Sequence, residues 1–388
     1  MIAQETIIAS ESAHTSGTYP KRQLAIVRGH GARLWDADGR EYIDCVGGQG
    51  AANLGHANPY ISEAIQTQAN RLINCPEIFY NDERAAYLDE LVAVLPKGLE
   101  RVFLCNSGAE AIEGAIKIAR LKTGRTDVVT AVRGFHGRTM GALSATWEPK
   151  YRKPFEPLIP GFTRVPYNKL DALTEAVGDT TAAVLLELVQ GEGGVHPATE
   201  EYIAGVVAVC RERGALLVVD EVQTGFGRTG ALFACEHYGV EPDILVLAKS
   251  IAGGMPMGAI AFHEHLGPLP PASHGTTFGG NPLACAVARA TLRYLHDHNL
   301  LQQAAEKGVY LMEQLRALEL SQVREVRGKG LLVGLELKER VQPYLVRLME
   351  RGVLALPAGP NVLRLLPPLV ITYDELDQVV GVVGEPDL

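Results

Sequence analysis

Several features are scarce or absent in this 388-residue sequence, and each absence argues against a class of protein. Positive charge is in deficit, with a net charge of -9, so binding to nucleic acid or to an anionic membrane surface is not expected. No apolar run is long enough to cross a bilayer. The first residues contain glutamates and no basic stretch, so no signal peptide is predicted and we expect a cytoplasmic protein.

Paired cysteines and metal-ligand spacings are also missing. The six cysteines lie far apart and form no CxxC pair, which argues against a disulfide framework or a zinc site and fits free thiols in a reducing compartment. His56 and His136 have no companion carboxylate or cysteine at ligand spacing. We therefore interpret both histidines as pocket or core residues and predict no metal.

Short apolar runs that alternate with helical patterns are the main feature that is present. The runs are Val102–Leu104, Val128–Val132, Ala182–Leu188, Ala215–Val219, Ile244–Ala248 and Ala259–Phe262. Runs that are apolar on both faces are typical of a mostly parallel sheet covered by helices on both sides. The sequence therefore predicts an α/β fold.

The two ends of the chain have a different residue pattern from the middle. Residues 1–20 are polar and are predicted to form a loose arm, and Trp35 and Tyr42 flank a turn in a plausible hairpin. Short strands among helices after about residue 287 predict a smaller C-terminal α+β domain. We place the boundaries at 1–56 for the arm and small strands, 57–286 for the large domain and 287–388 for the small one.

A Ser-Gly turn follows the first apolar run and begins a helical pattern. Ser107, Gly108 and Ala109 are small, so their backbone N–H groups can approach an anion at the positive end of the helix dipole. Such a turn before a helix is usually just a helix cap. By itself it indicates a phosphate site only weakly.

Two charged residues stand at the ends of buried runs. Asp220 follows Ala215–Val219, and a buried carboxylate of this kind can hold a pyridinium nitrogen, although it can also cap a turn. Lys249 follows Ile244–Ala248, where loss of water lowers the amine pKa toward the nucleophilic neutral form, although many strand-end lysines simply reach solvent. A phosphate loop, a ring-binding aspartate and a reactive lysine in this order match a pyridoxal phosphate (PLP) site.

These stretches carry a resemblance to a known family over nearly the whole chain. The matching motifs are Asn106-Ser107-Gly108-Ala109-Glu110-Ala111, Phe135-His136-Gly137-Arg138-Thr139, Gln190-Gly191-Glu192-Gly193-Gly194, Asp220-Glu221-Val222-Gln223-Thr224-Gly225, Ala248-Lys249 and Thr276-Thr277-Phe278-Gly279-Gly280-Asn281-Pro282. The sequence resembles the class III (subgroup II) aminotransferases of PLP fold type I. Within them it is most similar to acetylornithine aminotransferases and to LysW-γ-lysine aminotransferases.

The resemblance implies a set of cofactor contacts. Lys249 would bind PLP covalently and carry the proton during catalysis, and Asp220 would pair with the pyridine nitrogen. The remaining implied contacts are Phe135 on the ring face, Gln223 near the ring oxygen, Ser107, Gly108 and Ala109 on the phosphate, and Thr277 on the phosphate of a neighbouring subunit. The last contact implies a homodimer with shared active sites.

The resemblance also implies a reaction with two substrates. The donor would be an ornithine or lysine whose α-amine is blocked, with its α-carboxylate on Arg138, because guanidinium binds carboxylate in a bidentate manner. The acceptor, 2-oxoglutarate, needs a second arginine, for which Arg364 is the candidate. Glu192 would pair with Arg364 when the donor is bound, since an unpaired buried charge is costly. An acidic carrier protein, LysW, would need a basic rim, for which Lys21-Arg22 together with Lys150, Arg152 and Lys153 are the candidates; the alternative is that these are ordinary solvated charges.

Other readings stay open from the sequence. A class III relative could use ornithine or 4-aminobutyrate, or could be an aminomutase or racemase. A non-catalytic binding protein on the same fold is a further alternative, although intact Lys249 and Asp220 argue against it. One departure from the family is Glu187-Leu188, where Glu-Pro is usual.

Overall fold

The strands of the protein are defined by a computed structural model, which describes residues 2–385. In chain order they are β1 Ile26–His30, β2 Arg33–Asp36, β3 Glu41–Asp44, β4 Leu99–Cys105, β5 Asp127–Ala131, β6 Phe162–Val165, β7 Thr181–Leu186, β8 Val189–Gln190, β9 His196–Pro197, β10 Leu216–Asp220, β11 Ile244–Leu247, β12 Gly258–His263, β13 Val323–Lys329, β14 Leu332–Leu337, β15 Val353–Leu354, β16 Leu356–Ala358 and β17 Val362–Leu365.

The α-helices cover much of the remaining chain. They are α1 Gln4–His14, α2 Gly47–Gly50, α3 Pro59–Ala69, α4 Asp82–Val92, α5 Gly108–Thr123, α6 Met140–Ala145, α7 Pro149–Arg152, α8 Leu170–Ala176, α9 Glu200–Arg213, α10 Pro282–Asp297, α11 Leu300–Ala317, α12 Gln342–Glu350 and α13 Tyr373–Val383. Short 3₁₀ helices span Lys153–Phe155, Ala234–Tyr238, Lys249–Ala252 and Glu264–Leu266.

The central sheet has the strand order β4-β12-β11-β10-β7-β5-β6. The pairs β10–β11, β10–β7, β5–β7 and β5–β6 are parallel, whereas β12 runs antiparallel to both of its neighbours. Each apolar run of the sequence corresponds to one of these strands, so the predicted mostly parallel α/β fold is confirmed. The edge strand β6 was not predicted, because its half-exposed residues do not form an apolar run.

Helices cover both faces of this sheet. Along β10, Leu216 and Val218 pack in one apolar cluster with residues of α5, and Leu217 and Val219 pack in another with residues of α9. Because side chains of a strand alternate between faces, a sheet buried on both sides needs apolar residues at every position. This explains why the strands read as continuous apolar runs.

The two ends of the chain fold against each other. Strand β3 pairs in parallel with β15, so one four-stranded sheet, β1-β2-β3-β15, combines N-terminal and C-terminal strands. A second sheet, β13-β14-β17-β16, belongs to the C-terminal part alone. The predicted turn between Trp35 and Tyr42 does join an antiparallel pair, β2 and β3.

The prediction of a loose arm over residues 1–20 is wrong for α1. This helix buries none of its residues, so it has no apolar stripe by which the sequence could indicate it. The domain boundaries stay predictions. The limit at 286/287 falls inside α10, and residues 1 and 386–388 of the outer domains lie outside the described part of the chain.

Within residues 2–385, no helix is long and apolar enough to cross a membrane. The same residues contain no group of three or more histidine, cysteine or acidic side chains that could hold a metal ion.

Candidate active site

Lys249 follows strand β11 and is separated from it by one residue, Ala248. Strand β11 is buried throughout, and Lys249 itself is half-buried. Burial lowers the pKa of the Lys249 amine to about 8, although nearby Glu192 opposes this shift. Lys249 also adopts φ +47, a left-handed conformation that costs a non-glycine residue about 1–3 kcal/mol and is typical of functional sites.

Asp220 ends the neighbouring strand β10 and is 4% exposed. One carboxylate oxygen, Oδ2, lies 2.8 Å from His136 Nδ1, and Oδ1 accepts the backbone N–H of Val222. In open α/β sheets, ligands bind beyond the carboxyl ends of the strands, which is where Asp220 and Lys249 meet. His136 was interpreted as a pocket or core residue; its position against Asp220 gives it a specific contact in the pocket.

The Ser-Gly turn forms the N-terminus of α5, a helix of 16 residues. Ser107 is the N-cap, and its Oγ accepts the N–H of Glu110. Gly108 packs tightly, because a Cβ at this position would lie 2.9 Å from Val222 Cγ1. The loop that follows β10 therefore presses against the start of α5, which places the helix dipole beside Asp220.

One cavity brings most of these groups together. It is lined by Gly108, Ala109, Phe135, His136, Gly137, Glu187, Glu192, Asp220, Val222, Gln223 and Lys249. The cavity thus contains an amine of lowered pKa, a buried carboxylate, an aromatic ring and a helix N-terminus.

An ion pair closes one side of the cavity. Arg364, on β17, is 2% exposed, and its Nη1 lies 2.7 Å from Glu192 Oε1 and donates to Gln223 Oε1 at 3.1 Å. Loss of water raises the pKa of the Glu192 carboxyl, but the charges of Arg364 and Lys249 outweigh this and lower that pKa overall. Glu192 is therefore a carboxylate at neutral pH and masks Arg364.

Arg138 and Thr277 lie outside the lining of this cavity. The Arg138 guanidinium sits 3.4 Å from the centre of the Tyr151 ring and 5.5 Å from that of Phe135, and it has no carboxylate partner within residues 2–385. Thr277 is exposed. Its neighbour Thr276 accepts a hydrogen bond from Asn106, beside the phosphate-loop turn.

Glu187 is a site residue that sequence reasoning did not assign. It is buried, and its two oxygens accept the N–H groups of Phe135 and Gly191, so it joins the loops that carry Phe135 and Glu192. Burial raises its pKa well above the ordinary value. The available signal was a glutamate near the end of an apolar run, the same pattern that marked Asp220.

Comparison with known sequences supports a specific family. The sequence profile of the Aminotransferase class-III family matches residues 15–384. The [LysW]-aminoadipate semialdehyde transaminase of Deinococcus radiodurans is 52% identical over 378 residues, which cover 96% of this chain and 88% of the relative. The acetylornithine aminotransferase of Methanosarcina acetivorans is 44% identical over 382 residues, 98% of this chain and 96% of the relative.

Solved structures give the same result. The ornithine aminotransferase from Toxoplasma gondii ME49 has a TM-score of 0.94 at 34% identity, covering 99% of this chain and 94% of that chain. The acetylornithine aminotransferase from Elizabethkingia anophelis has a TM-score of 0.87 at 33% identity, covering 99% and 98%. Since both sequence and fold agree over nearly the full length, the chain belongs to the class III aminotransferases, which use pyridoxal phosphate.

Proposed function

We propose that this enzyme transfers the terminal amino group of an α-amine-blocked lysine or ornithine, LysW-γ-lysine or N-acetylornithine, to 2-oxoglutarate. The observation that carries the proposal is the pair of arginines, Arg138 left open and Arg364 masked by Glu192. The donor has one free carboxylate and the acceptor has two. A site that binds them in turn needs one arginine that is always available and a second whose charge is neutralised by the protein when the donor is bound. The names of the two sequence relatives support the same pair of donors.

The cavity fits the cofactor by the chemistry of its lining. The Lys249 amine suits the aldehyde, the Asp220 carboxylate suits the pyridine nitrogen, and the start of α5 with Ser107, Gly108 and Ala109 suits the phosphate. Phe135 supplies a ring face, and Gln223 an amide for the ring oxygen. When bound, PLP supplies an electron sink that stabilises negative charge on the reacting carbon.

The protein's own side chains then move the proton at the reacting carbon. Lys249, once the donor amine has displaced it, is a neutral base at the carboxyl edge of the sheet and moves the proton at the donor carbon. Asp220, whose Oδ2 lies 2.8 Å from His136 Nδ1, would pair with the pyridine nitrogen and favour its protonated form. The same residues act in reverse when the oxo acid is the substrate, so the kinetics are ping-pong.

Arg138 favours a blocked donor over a free amino acid. Its guanidinium is flanked by the rings of Tyr151 and Phe135 rather than by a carboxylate that could receive an α-ammonium group. A donor with a free α-carboxylate and an uncharged α-amide meets a cation and apolar surface there. A free α-amine would lose its hydration without gaining a partner.

A vestibule outside the cavity has room for the blocking group. It measures about 440 Å³ and is lined in part by Phe135, Trp147, Lys150, Tyr151 and Glu192. Its volume suits a substituent larger than acetyl. This is the observation that favours the carrier-linked donor.

The basic rim proposed for the carrier divides into two parts. Lys21 pairs with Glu11, and Arg22 donates to the Ala355 carbonyl, so these two cations are already engaged. Lys150 lines the vestibule and is exposed, and Lys153, three residues further along the chain, is exposed as well. We assign recognition of an acidic carrier to Lys150 and Lys153, together with Arg152, which also donates to the Trp147 carbonyl.

A second copy of the chain would complete the site. Arg84 is buried and donates to Cys75 and Gly280 carbonyls, so it holds two exposed loops side by side. The large exposed apolar residues of these loops are Leu72, Ile73, Ile78, Phe79, Tyr80 and Phe278. We assign this surface to a homodimer interface that brings Thr277 to the phosphate held by the other copy.

The variant Tyr80→Asp/Phe278→Asp should have the mass of a monomer by light scattering and lose activity.

A half-reaction tests the proposed function directly. PLP-loaded protein is mixed, without oxo acid, with N-acetylornithine, N-acetyllysine or LysW-γ-lysine, and loss of the visible absorbance of the cofactor is followed. Rapid bleaching by N-acetylornithine supports an arginine-pathway donor. Slow bleaching by both small donors with rapid bleaching by LysW-γ-lysine supports the carrier-borne donor. No bleaching by any of the three would overturn the proposal.

A further inference from the structure

Arg364 has a counterpart on the same face of the small C-terminal sheet. In the β13–β14 pair Arg327 lies opposite Gly334, and in the β14–β17 pair Gly334 lies opposite Arg364. Residues directly opposite in antiparallel strands project from the same face. The sheet therefore presents two arginines on either side of a glycine.

The glycine between them makes a notch, and a valine fills it. A Cβ at Gly334 would lie 2.8 Å from the Cβ of Val195, which is fully buried. Val195 also has φ +53, a conformation that is rare for a β-branched residue and that persists only where its surroundings enforce it. The notch thus holds the chain at Val195 in a strained conformation.

Arg327 binds the same stretch of backbone. Its Nε and Nη2 donate to the carbonyls of Gly194 and Val195 at 2.7–3.1 Å, and Nη2 also lies 3.2 Å from His196 Nε2. Nη1 donates to Glu325 and Glu336, which balance the charge. Every donor of a guanidinium that is 8% exposed therefore has a partner.

The stretch that is held leads directly to Glu192. Strands β8 and β9 form a hairpin in which Gln190 pairs with His196, and Glu192 lies in the loop between them. One end of this loop is fixed by Glu187, which accepts the Gly191 N–H. The other end is fixed by Arg327.

We propose that Arg327, with the notch at Gly334 that receives Val195, is a positioning residue that keeps Glu192 on Arg364. The inference rests on the proposed function, since it concerns the gate between the two substrates. Arg327 lines the outer vestibule but not the cofactor cavity, and its donors are engaged by the loop backbone, His196, Glu325 and Glu336. It acts by holding one end of the loop, so that Glu192 and Gly193, which lie between the two fixed ends, are the part that moves when Glu192 leaves Arg364.

Loss of this anchor should affect the two substrates in opposite directions. In Arg327→Met, Glu192 competes less well for Arg364, so the unreactive dicarboxylate glutarate should bind more tightly, by on the order of fivefold. The KM for the donor should rise by a similar factor, because Arg364 is then less well neutralised. Glutarate binding is measured by calorimetry on both PLP-loaded and PLP-free protein, which gives a readout independent of turnover.

The matched control is Arg324→Met. Arg324 lies on the same strand and near the same Glu336, at 3.9 Å, but is 55% exposed and does not contact the loop. It should leave both constants unchanged. General damage to the small domain by Arg327→Met would instead weaken both substrates.

Glu192→Ala separates failure of this inference from failure of the gate. If Glu192→Ala does not tighten glutarate binding, Glu192 does not compete with the acceptor for Arg364, and the proposed role of Arg327 is overturned as well. If Glu192→Ala tightens binding but Arg327→Met does not, the anchor alone is overturned. In the Glu192→Ala background, Arg327→Met should have no additional effect. Should Arg327→Met fail to fold by circular dichroism, Val195→Gly provides the same test, because it removes both the strain and the side chain that fills the notch.

Discussion

The two walls of the active site are built by different means. The wall that holds Lys249 and Asp220 lies where the adjacent parallel strands β10 and β11 end: Asp220 is fixed by pairing with Val246, and Lys249 begins the 3₁₀ helix that follows β11. The wall that holds Arg364 and Glu192 consists of side-chain contacts between a hairpin loop and a second sheet. A step common to both half-reactions needs fixed groups, whereas a choice between substrates needs contacts that can break and re-form.

Lys249→Ala gives the largest expected effect, because it removes the group that both half-reactions share. Turnover should fall by at least about 10³-fold with either substrate, within the range for removal of a general acid–base. Steady-state kinetics and the visible spectrum of the purified protein check this. Lys97→Ala, which changes an exposed lysine, should behave like the unmodified enzyme. Normal turnover by Lys249→Ala would remove the catalytic assignment.

Arg364→Met should affect only one half-reaction. Truncating one partner of a buried charge pair costs about 2–5 kcal/mol, so the KM for 2-oxoglutarate should rise by on the order of 10²-fold. Donor bleaching should be nearly unchanged. Arg138→Met should have the converse effect, weakening the donor more than a dicarboxylate. If each variant impaired both substrates equally, the division between the two walls would not hold.

The pH dependence of cofactor attachment sharpens the account of the fixed wall. The proposed function makes the neutral amine of Lys249 the nucleophile, and the pKa of this amine, about 8, lies below the ordinary value of 10.5. PLP uptake by the apoenzyme should therefore accelerate about tenfold per pH unit below pH 8 and level off above it. Stopped-flow absorbance measures the rate. An increase that continued to pH 10 would show that burial does not lower this pKa.

Charge reversal at the rim should give the smallest effect. Lys150→Glu with Lys153→Glu and Arg152→Glu should slow half-reactions with the carrier-linked donor by roughly tenfold at low salt, since rim charges act mainly on association. N-acetylornithine should react as before. Equal loss with both donors would show that these residues do not select the carrier.

The residues of the two walls also differ in how well the sequence alone predicts them. Lys249, Asp220 and the turn at Ser107 each follow an apolar run along the chain, so local sequence indicated them; Lys249 and Asp220 line one cavity, and Ser107 caps the helix whose first residues line it. Arg327 and Val195 depend on pairing between segments more than 100 residues apart, as the Arg327–Val195 bond shows, and no local pattern indicates them. The resemblance suggested the Glu192–Arg364 pair, but what holds Glu192 there required the register of β13, β14 and β17. The helix α1 escaped prediction for a different reason, since an exposed helix leaves no periodic pattern.

The pairing of β3 with β15 constrains the order in which the chain can fold during synthesis. Ile43 pairs with Val353, so the small N-terminal sheet emerges from the ribosome long before its fourth strand does. Until then, one edge of that sheet and the surface around Cys45, whose backbone bonds to Leu354 and Leu366, have no native partner. Strand β3 is thus made long before its partner β15, so its exposed edge depends on protection from wrong partners while the chain is being synthesised.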